Sequence, residues 1–276
     1  MNKTKIKPLK VGLVGCGAMG AFLAQAIQRE FSREAHLSGI CDHHQENLKA
    51  LSRRVRPPCR EMTLEEILKE SDLILEAASQ DAACEILTHR ASSRKTILVM
   101  SVGGILKALE KNSRVLEAFT GKILVPSGAI AGIDGLLAAR EAGLISVTLK
   151  TRKPPAGLQG APYFKEKAFP VLRAKQEICV FKGSAVQAVK AFPQNVNVAA
   201  VLSLAGMGAV KTRVEVWTSK SYTGNQHEII IRHRSGRLDI RADNEPSSDN
   251  PKTSALAIYA ALACLRKHFA SLKMGT

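Results

Sequence analysis

The chain has 276 residues, of which 45% are apolar and 23% charged, a composition ordinary for a globular protein with room for two modest domains. No uninterrupted apolar run reaches the length of a transmembrane helix, so we expect no membrane partner. The 40 basic and 24 acidic residues give a charge of +16 that suits anionic ligands. Because the basic residues are dispersed and aromatic residues make up only 4%, we expect no nucleic acid partner.

The first predicted elements surround a glycine-rich turn. An apolar strand that begins at Val11 runs into Gly-x-Gly-x-x-Gly, and a helix over 21–31 follows. A second strand, over 37–41, leads to Asp42, 22 residues after the last glycine. This succession of strand, glycines, helix, strand and acid is typical of a dinucleotide-binding domain.

Each glycine of the turn has its own predicted role. Gly15 allows a tight turn, Gly17 lets phosphates approach bare backbone at the helix N-terminus, and Gly20 lets helix and strand pack closely. The carboxylate of Asp42 is placed to accept the hydroxyls of the adenosine ribose. We therefore predict that NAD binds at Gly15, Gly17, Ala18, Met19, Gly20 and Asp42.

The same stretch has the outline of a secretory signal, since lysines at 3, 5, 7 and 10 precede 17 uncharged residues. Four glycines among the first ten of those residues make a poor hydrophobic helix, and a signal leaves Asp42 unexplained. We therefore expect a cytoplasmic protein. The six cysteines show no zinc-finger spacing, and no set of histidines, cysteines and carboxylates has ligand spacing, so we predict no metal site.

Strands and helices alternate beyond Asp42. The patterns predict helices over 45–54, 63–71 and 81–90, the second opened by a capping box of Thr63 and Glu66, and strands over 73–76 and 96–100. This is the order of an α/β fold with a doubly wound parallel sheet.

Small residues follow two of these strands, at Ala78 and Ser101. Ligands of such sheets bind beyond the carboxyl ends of the strands, where small side chains would let the nicotinamide half of the cofactor approach the backbone. An alternative accounts for each position equally well: a tight turn can require a small residue for packing alone, without any ligand.

The pattern changes after residue 122, where antiparallel-looking strands replace strand–helix units. We predict strands over 146–151, 178–181, 213–217, 228–233 and 237–241, and helices over 184–191, 196–204 and 254–269. The predicted architecture is therefore an N-terminal Rossmann domain over 1–122 and an α+β catalytic domain with a mixed or antiparallel sheet over 123–251. The C-terminal helix, 252–276, is expected to pack back on the first domain.

Five motifs resemble those of the L-aspartate dehydrogenase family: Pro126-Ser-Gly-Ala-Ile-Ala-Gly-Ile-Asp-Gly, Thr151-Arg-Lys-Pro-Pro, Phe192-Pro-Gln-Asn-Val-Asn-Val-Ala-Ala, Asn225-Gln-His-Glu-Ile and Asn250-Pro-Lys-Thr-Ser. With the glycine-rich turn, the resemblance runs from about Val11 to Leu265. It implies oxidation of L-aspartate with NAD or NADP to iminoaspartate, which hydrolyses to oxaloacetate and ammonia or feeds NAD biosynthesis. It also implies a homodimer, a catalytic role for His227, and cofactor contacts at Ala131 and Asn197.

The chemistry of the residues is compatible with these roles. Hydride leaves the α-carbon only when the substrate amine is neutral, and an imidazole with a pKa near ~6.5 takes up or returns a proton at working pH. A histidine at the start of a strand is by itself more often a surface or packing residue. The resemblance is what favours catalysis by His227. The amide of Asn197 suits the nicotinamide or its ribose, although capping of the helix that follows is an alternative.

Lys252 precedes the last predicted helix, where free N–H groups and an ammonium suit a substrate carboxylate. For Thr253 and Ser254, capping of this helix is as good an explanation as carboxylate binding. We expect NAD rather than NADP, because Asp42 accepts a free 2′-hydroxyl and repels a 2′-phosphate. Basic residues that follow Asp42 leave NADP use open.

Two alternative functions remain at this stage. One is another amino-acid or semialdehyde oxidoreductase on the homoserine dehydrogenase plan. The other is a dinucleotide-sensing or nucleic-acid-binding protein that keeps the fold without turnover.

Overall fold

The computed structural model describes residues 7–165, 167–169, 176–193, 197–245 and 254–275. The chain divides into two units, Met1–Pro126 with Ala261–Ser271, and Ser127–Ala260 with Leu272–Thr276. Within the described ranges, no helix combines the length and the apolar character that crossing a membrane requires.

The first unit is a six-stranded sheet with helices between its strands. In chain order its elements are β1 (Leu9–Val14), α1 (Ala18–Glu30), β2 (Ala35–Cys41), α2 (Gln45–Arg54), β3 (Arg60–Glu61), α3 (Leu64–Glu70), β4 (Leu73–Glu76), α4 (Gln80–Thr88), β5 (Thr96–Val99), α5 (Gly103–Lys111) and β6 (Lys122–Leu124). The strands lie in the order β3-β2-β1-β4-β5-β6, and all neighbours are parallel. The predicted doubly wound fold is confirmed, and its topological switch point lies between β1 and β4.

Local signals predicted several of these elements closely. The structure has α2 and β4 at the predicted residues, and the predicted capping box forms, since Thr63 Oγ1 accepts from the Glu66 amide and Glu66 accepts from the Thr63 amide at 2.8 Å. The sequence analysis missed α5. Its first turn holds Gly103 and Gly104, which disfavour a helix locally. A Cβ on Gly104 would lie 2.5 Å from the Gln80 carbonyl oxygen, so close packing of α4 and α5 requires the glycine.

The second unit contains a five-stranded mixed sheet. Its elements are α6 (Ile133–Glu141), β7 (Leu144–Lys153), β8 (Glu177–Ser184), α7 (Ala185–Ala191), α8 (Asn197–Ala205), β9 (Arg213–Ser219), β10 (Asn225–His233), β11 (Gly236–Asn244) and the first residues of α9 (Ala255–Phe269). The strand order is β11-β10-β7-β9-β8, with β7 and β9 parallel and the other pairs antiparallel. The α6 and α7 helices pack against this sheet, and α8 packs against both of them.

One face of the second sheet is buried, as the alternation along β7 shows. Val147 and Leu149 are 0% exposed, while the residues between them are partly exposed. The same face continues with Thr151 and Lys153, which are 3% and 5% exposed. The buried face is therefore apolar along most of β7 and polar at its carboxyl end.

The remaining part of α9 completes the core of the first unit. Ala261 and Leu265 are 0% exposed there, and the rings of Phe31 and Phe269 lie 5.3 Å apart. Arg266 contacts Glu30 at 2.5 Å.

The second unit differs from the prediction at its strand ends and in α6, a helix that was not predicted. The predicted strand 228–233 begins three residues earlier, at Asn225, and the turn before β11 is formed by residues 234 and 235 rather than Ser235 and Gly236. Polar residues at 225–227 resemble a loop in sequence, but Asn225 and His227 are 7% and 3% exposed. Tertiary burial, rather than an apolar pattern, makes this segment a strand.

Candidate functional site

The three glycines of the turn after β1 have different surroundings. Gly15 has a φ of +98°, and a Cβ there would lie 2.6 Å from the Ala77 carbonyl carbon and oxygen. A Cβ on Gly20 would lie 1.8 Å from the Gly15 carbonyl oxygen. A Cβ on Gly17, in contrast, would have no atom of the described residues within 4 Å beyond its own chain neighbours. Gly15 and Gly20 are thus required for folding of the turn, whereas Gly17 leaves open backbone surface for a ligand.

The N-terminus of α1 offers hydrogen-bond donors to that surface. Among the described residues no side chain caps α1, and its first turn holds no acidic residue. The amides of Ala18, Met19 and Gly20 have no acceptor inside the helix, and the helix dipole adds partial positive charge. This arrangement suits a pyrophosphate.

Asp42 shapes the same turn from the end of β2. One carboxylate oxygen accepts the Cys16 amide at 2.6 Å and the other accepts the His44 amide at 2.7 Å. Each oxygen keeps a further lone pair for ribose hydroxyls. Burial, with help from the negative charge of Asp42, raises the pKa of the Cys16 thiol to about 12, so Cys16 adds no charge where phosphates would bind.

Glu76, at the end of β4, is a buried carboxylate that the sequence analysis missed. It is 0% exposed and accepts the amides of Ala78 at 2.9 Å, Ser79 at 3.1 Å and Ser101 at 2.9 Å. Burial raises its pKa, and these hydrogen bonds act in the opposite direction. Glu76 therefore brings together the two turns in which Ala78 and Ser101 were predicted. An acid at the end of an apolar strand, as for Asp42, was the available signal.

His227 lies in the second unit, on the buried face of β10. Its Nδ1 is 3.1 Å from the Thr151 hydroxyl of β7, its partner in register, so Nε2 is the nitrogen left for proton transfer. Burial lowers the pKa of His227 to about 3, and the positive charge of Lys153 acts in the same direction. Burial therefore favours the neutral ring more strongly than the ordinary pKa near ~6.5 of a histidine implies.

Buried polar side chains surround His227 at one edge of the sheet. The carboxyl ends of β7, β9 and β11 and the amino end of β10 meet there. We call the following residues the polar cluster: Thr151, Lys153, Thr218, Asn225, His227 and Asn244, each 8% exposed or less. The charges of this cluster are cationic or neutral, so it suits an anionic ligand.

Two predicted cofactor residues lie near the polar cluster, one on a loop and one at the start of a helix. Asn244 donates from Nδ2 to the Ala129 carbonyl at 2.9 Å, which ties the loop of Ala131 to the end of β11. Ala131 is itself exposed, and Asn197 is the exposed first residue of α8. Val198 Cγ1 lies 3.9 Å from the position of a Cβ on Gly128, so the loop of Ala131 and the start of α8 are adjacent.

One predicted site residue lies outside the ranges that the structure describes. Lys252, predicted to bind a substrate carboxylate, lies outside the described residues. In the described part of the chain, no group of three His, Cys, Asp or Glu side chains could hold a metal ion. The first unit thus carries Gly15, Gly17, Ala18, Met19, Gly20, Asp42, Ala78 and Ser101, and the second carries Ala131, Asn197 and His227.

Comparisons with known proteins match both units. Residues 15–123 match the family described as homoserine dehydrogenase, NAD binding domain, and residues 134–268 match aspartate dehydrogenase, C-terminal. The L-aspartate dehydrogenase of Methanosarcina acetivorans is 40% identical over 97% of this chain and 100% of its own length. That of Methanosarcina barkeri is also 40% identical, with the same coverage. The crystal structure of aspartate dehydrogenase from Thermotoga maritima has a TM-score of 0.70 at 22% identity and covers 98% of this chain and 100% of its own, which shows a shared fold.

The different surroundings of Gly17 and Gly20 allow a test of whether phosphates bind at this turn. Gly17→Ala is expected to weaken NADH binding at least ~10-fold, because the methyl group occupies the surface offered to phosphates. The thermal midpoint is expected to stay within about 2 °C, since the methyl group meets no atom of the described residues. Fluorescence titration with NADH and thermal unfolding measure the two effects.

Gly20→Ala is the matched control, because it adds the same methyl group against the Gly15 carbonyl. It is expected to lower the free energy of unfolding by about 1–3 kcal/mol through overpacking. A Gly17→Ala protein that binds NADH as tightly as the unaltered chain would exclude this turn as the phosphate site.

Proposed function

The chain belongs to the L-aspartate dehydrogenase family, and from this membership we propose that it oxidises L-aspartate to iminoaspartate, which water converts to oxaloacetate and ammonia. The observation that carries the proposal is a buried, neutral His227 inside a cationic polar cluster, in a chain whose first unit is an NAD-binding domain. An amino diacid provides the negative charges that this cluster lacks.

The turn after β1 fits NAD. The open surface at Gly17 and the uncapped N-terminus of α1 would hold the pyrophosphate, and Asp42 would hold the adenosine ribose. The turns held by Glu76 present Ala78 and Ser101 for the nicotinamide half. Bound NAD would supply the acceptor for the hydride of the substrate α-carbon.

His227 has two proton transfers to perform. When its Nδ1–H donates to Thr151, the lone pair of Nε2 accepts a proton from the substrate ammonium and releases it to solvent. The neutral ring then accepts a proton from the water that attacks the imine and returns it to the departing ammonia. The reaction balances as L-aspartate, NAD⁺ and water giving oxaloacetate, ammonium, NADH and one proton. A pKa of about 3 makes His227 a weak base in the free protein, but the negative charge of a bound dicarboxylate raises the pKa of the ring.

The finer features of the activity are also part of the proposal. We infer NAD as the preferred cofactor, with NADP as a second one, because Asp42 repels a 2′-phosphate. From the family resemblance we propose a cytoplasmic homodimer that can supply iminoaspartate for NAD biosynthesis. Sedimentation of the purified protein tests the dimer.

A substrate panel tests the activity itself. The purified protein is incubated with NAD and one of L-aspartate, L-asparagine, L-alanine, L-glutamate or L-homoserine, and NADH formation is followed by absorbance. Activity is expected with L-aspartate. Absence of activity with L-aspartate, together with activity on another member of the panel, would refute the substrate assignment.

His227→Ala is expected to reduce kcat by ~10²- to 10⁴-fold, because proton transfer is lost. NADH affinity is expected to stay within ~2-fold, since no cofactor contact is removed. Steady-state kinetics and NADH titration measure these quantities.

His233→Ala is the matched control on the same strand, and it is expected to retain turnover. His227→Gln, which keeps a side chain of similar volume, serves if the alanine variant is unstable. Unchanged turnover in a folded His227 variant would remove the histidine from the mechanism.

Asp42→Ser is expected to lower the ratio of kcat/KM for NAD to that for NADP at least ~10-fold, because the repulsion of a 2′-phosphate is removed. Steady-state kinetics with each cofactor measure the ratio. Asp72→Ser is the matched control, since Asp72 also binds a backbone amide, that of Lys10 at 2.9 Å, but at the opposite end of the strands. A strong NADP preference in the unaltered chain would refute the assigned role of Asp42.

A further inference from the structure

Lys153 is a buried cation that the proton chemistry of His227 leaves without a function. It is the last residue of β7 and is 5% exposed. It forms no ion pair or hydrogen bond with another residue of the described ranges, and burial alone lowers its pKa to about 8. Burying an ammonium without a counter-ion costs free energy. Its presence at the buried carboxyl end of β7, with no acid beside it among the described residues, therefore indicates a ligand.

Thr218 is a second unpaired polar group beside Lys153. The two residues are partners in the register of β7 and β9, and Thr218 is 0% exposed. Its hydroxyl oxygen has no hydrogen-bond partner within the described residues. Most buried hydroxyls in proteins have a hydrogen-bond partner, so an unpaired one next to an unpaired ammonium is consistent with a shared ligand. The pairing of β7 with β9 places Lys153 and Thr218 next to each other on the sheet.

This pair of groups lies close to His227. Thr151, which contacts His227 at 3.1 Å, precedes Lys153 by two residues on the same face of β7. The charge of Lys153 is strong enough at the imidazole to help lower the pKa of His227. A ligand held by Lys153 and Thr218 is therefore a neighbour of the catalytic histidine.

We propose that Lys153 and Thr218 form a carboxylate-binding subsite that holds one carboxylate of the amino diacid beside His227. The ammonium of Lys153 pairs with one carboxylate oxygen and the hydroxyl of Thr218 donates to the other, so that one ligand group satisfies two unpaired groups. The inference rests on the proposed function, since it names the residues that select its substrate class.

The subsite also links substrate binding to the strength of the base. A carboxylate next to Lys153 offsets the positive charge that His227 experiences. The pKa of the imidazole then rises when the substrate is present. His227 consequently becomes a better proton acceptor in the complex than in the free protein.

Lys153→Met is the principal test, because methionine fills a similar volume without charge or donor. The KM for L-aspartate is expected to rise at least ~100-fold, while the KM for NAD stays within ~2-fold. Succinate, a dicarboxylate without the amine, provides a readout independent of turnover. Its affinity for the NADH-loaded protein, measured by calorimetry, is expected to fall at least ~100-fold.

Lys150→Met is the matched control. Lys150 lies on the same strand but on the opposite face, where its Nζ is 3.6 Å from Glu228. This variant is expected to keep the KM for L-aspartate and the succinate affinity of the unaltered chain. A Lys153→Met protein that binds succinate and L-aspartate normally would overturn the subsite.

Thr218→Val provides a second, nearly isosteric variant if Lys153→Met does not fold. It is expected to weaken succinate binding ~10-fold without lowering the thermal midpoint, because no hydrogen bond within the described residues is lost. Thr148→Val, on the opposite face of β7, is its control. Unchanged succinate affinity in Thr218→Val would remove Thr218 from the subsite and overturn the proposal as stated.

The pH dependence of succinate binding separates the two possible roles of Lys153. A lysine that serves only the structure would not make succinate affinity vary with pH. Only protonated Lys153 binds a carboxylate, so succinate affinity should fall as the pH rises above about 8, the pKa that burial gives to Lys153. The other titratable member of the polar cluster is His227, whose pKa of about 3 rises when a carboxylate binds, so the same profile measured with His227→Gln isolates the contribution of Lys153. A flat profile between pH 7 and 9.5 would contradict the proposal.

The outcomes separate the two proposals. An unaltered chain that does not oxidise L-aspartate, but whose succinate binding requires Lys153, refutes the function and retains the subsite. An active unaltered chain with a normal Lys153→Met variant refutes the subsite and retains the function.

Discussion

Hydrogen bonds from backbone amides to the Glu76 carboxylate hold the turns on which the cofactor site depends. Glu76 binds the amides of Ala78, Ser79 and Ser101, and Asp42 does the same for Cys16 and His44. Because parallel strands end at one edge of the sheet, two acids at strand ends can organise the four turns that follow β2, β1, β4 and β5. The backbone there is shaped before any ligand binds, and Gly17 leaves its surface open.

Two members of the polar cluster of the second unit differ from Glu76 in this respect. Glu76 is buried and accepts hydrogen bonds from amides of its own unit, whereas Lys153 and Thr218 lack partners among the described residues. A buried group that the chain satisfies contributes to folding, and one that it leaves unpaired costs stability. The contrast distinguishes carboxylates that hold the turns of the first unit from an unpaired cation beside His227 in the second.

Sequence patterns predicted most elements because their signals are local. Periodicity and capping residues located α2, β4 and the start of α3, and the glycine spacing located the cofactor turn. The failures share a physical cause. At α5, glycines needed for close packing against α4 concealed a helix, and at Asn225 polar residues buried in the polar cluster concealed the start of β10. In both places tertiary contacts outweigh local preference.

The alternation of strands and helices along the chain was enough to determine the doubly wound fold. The order of glycines and acid predicted the dinucleotide site, because a turn, a helix N-terminus and the next strand are neighbours in sequence. The resemblance of motifs singled out His227. Only the tertiary structure decided that the imidazole is buried and neutral, and that Lys153 and Thr218 lie beside it. Those properties arise where strands remote in sequence meet, as Thr151 and His227 do across 76 residues, and burial and charge there depend on the assembled sheet.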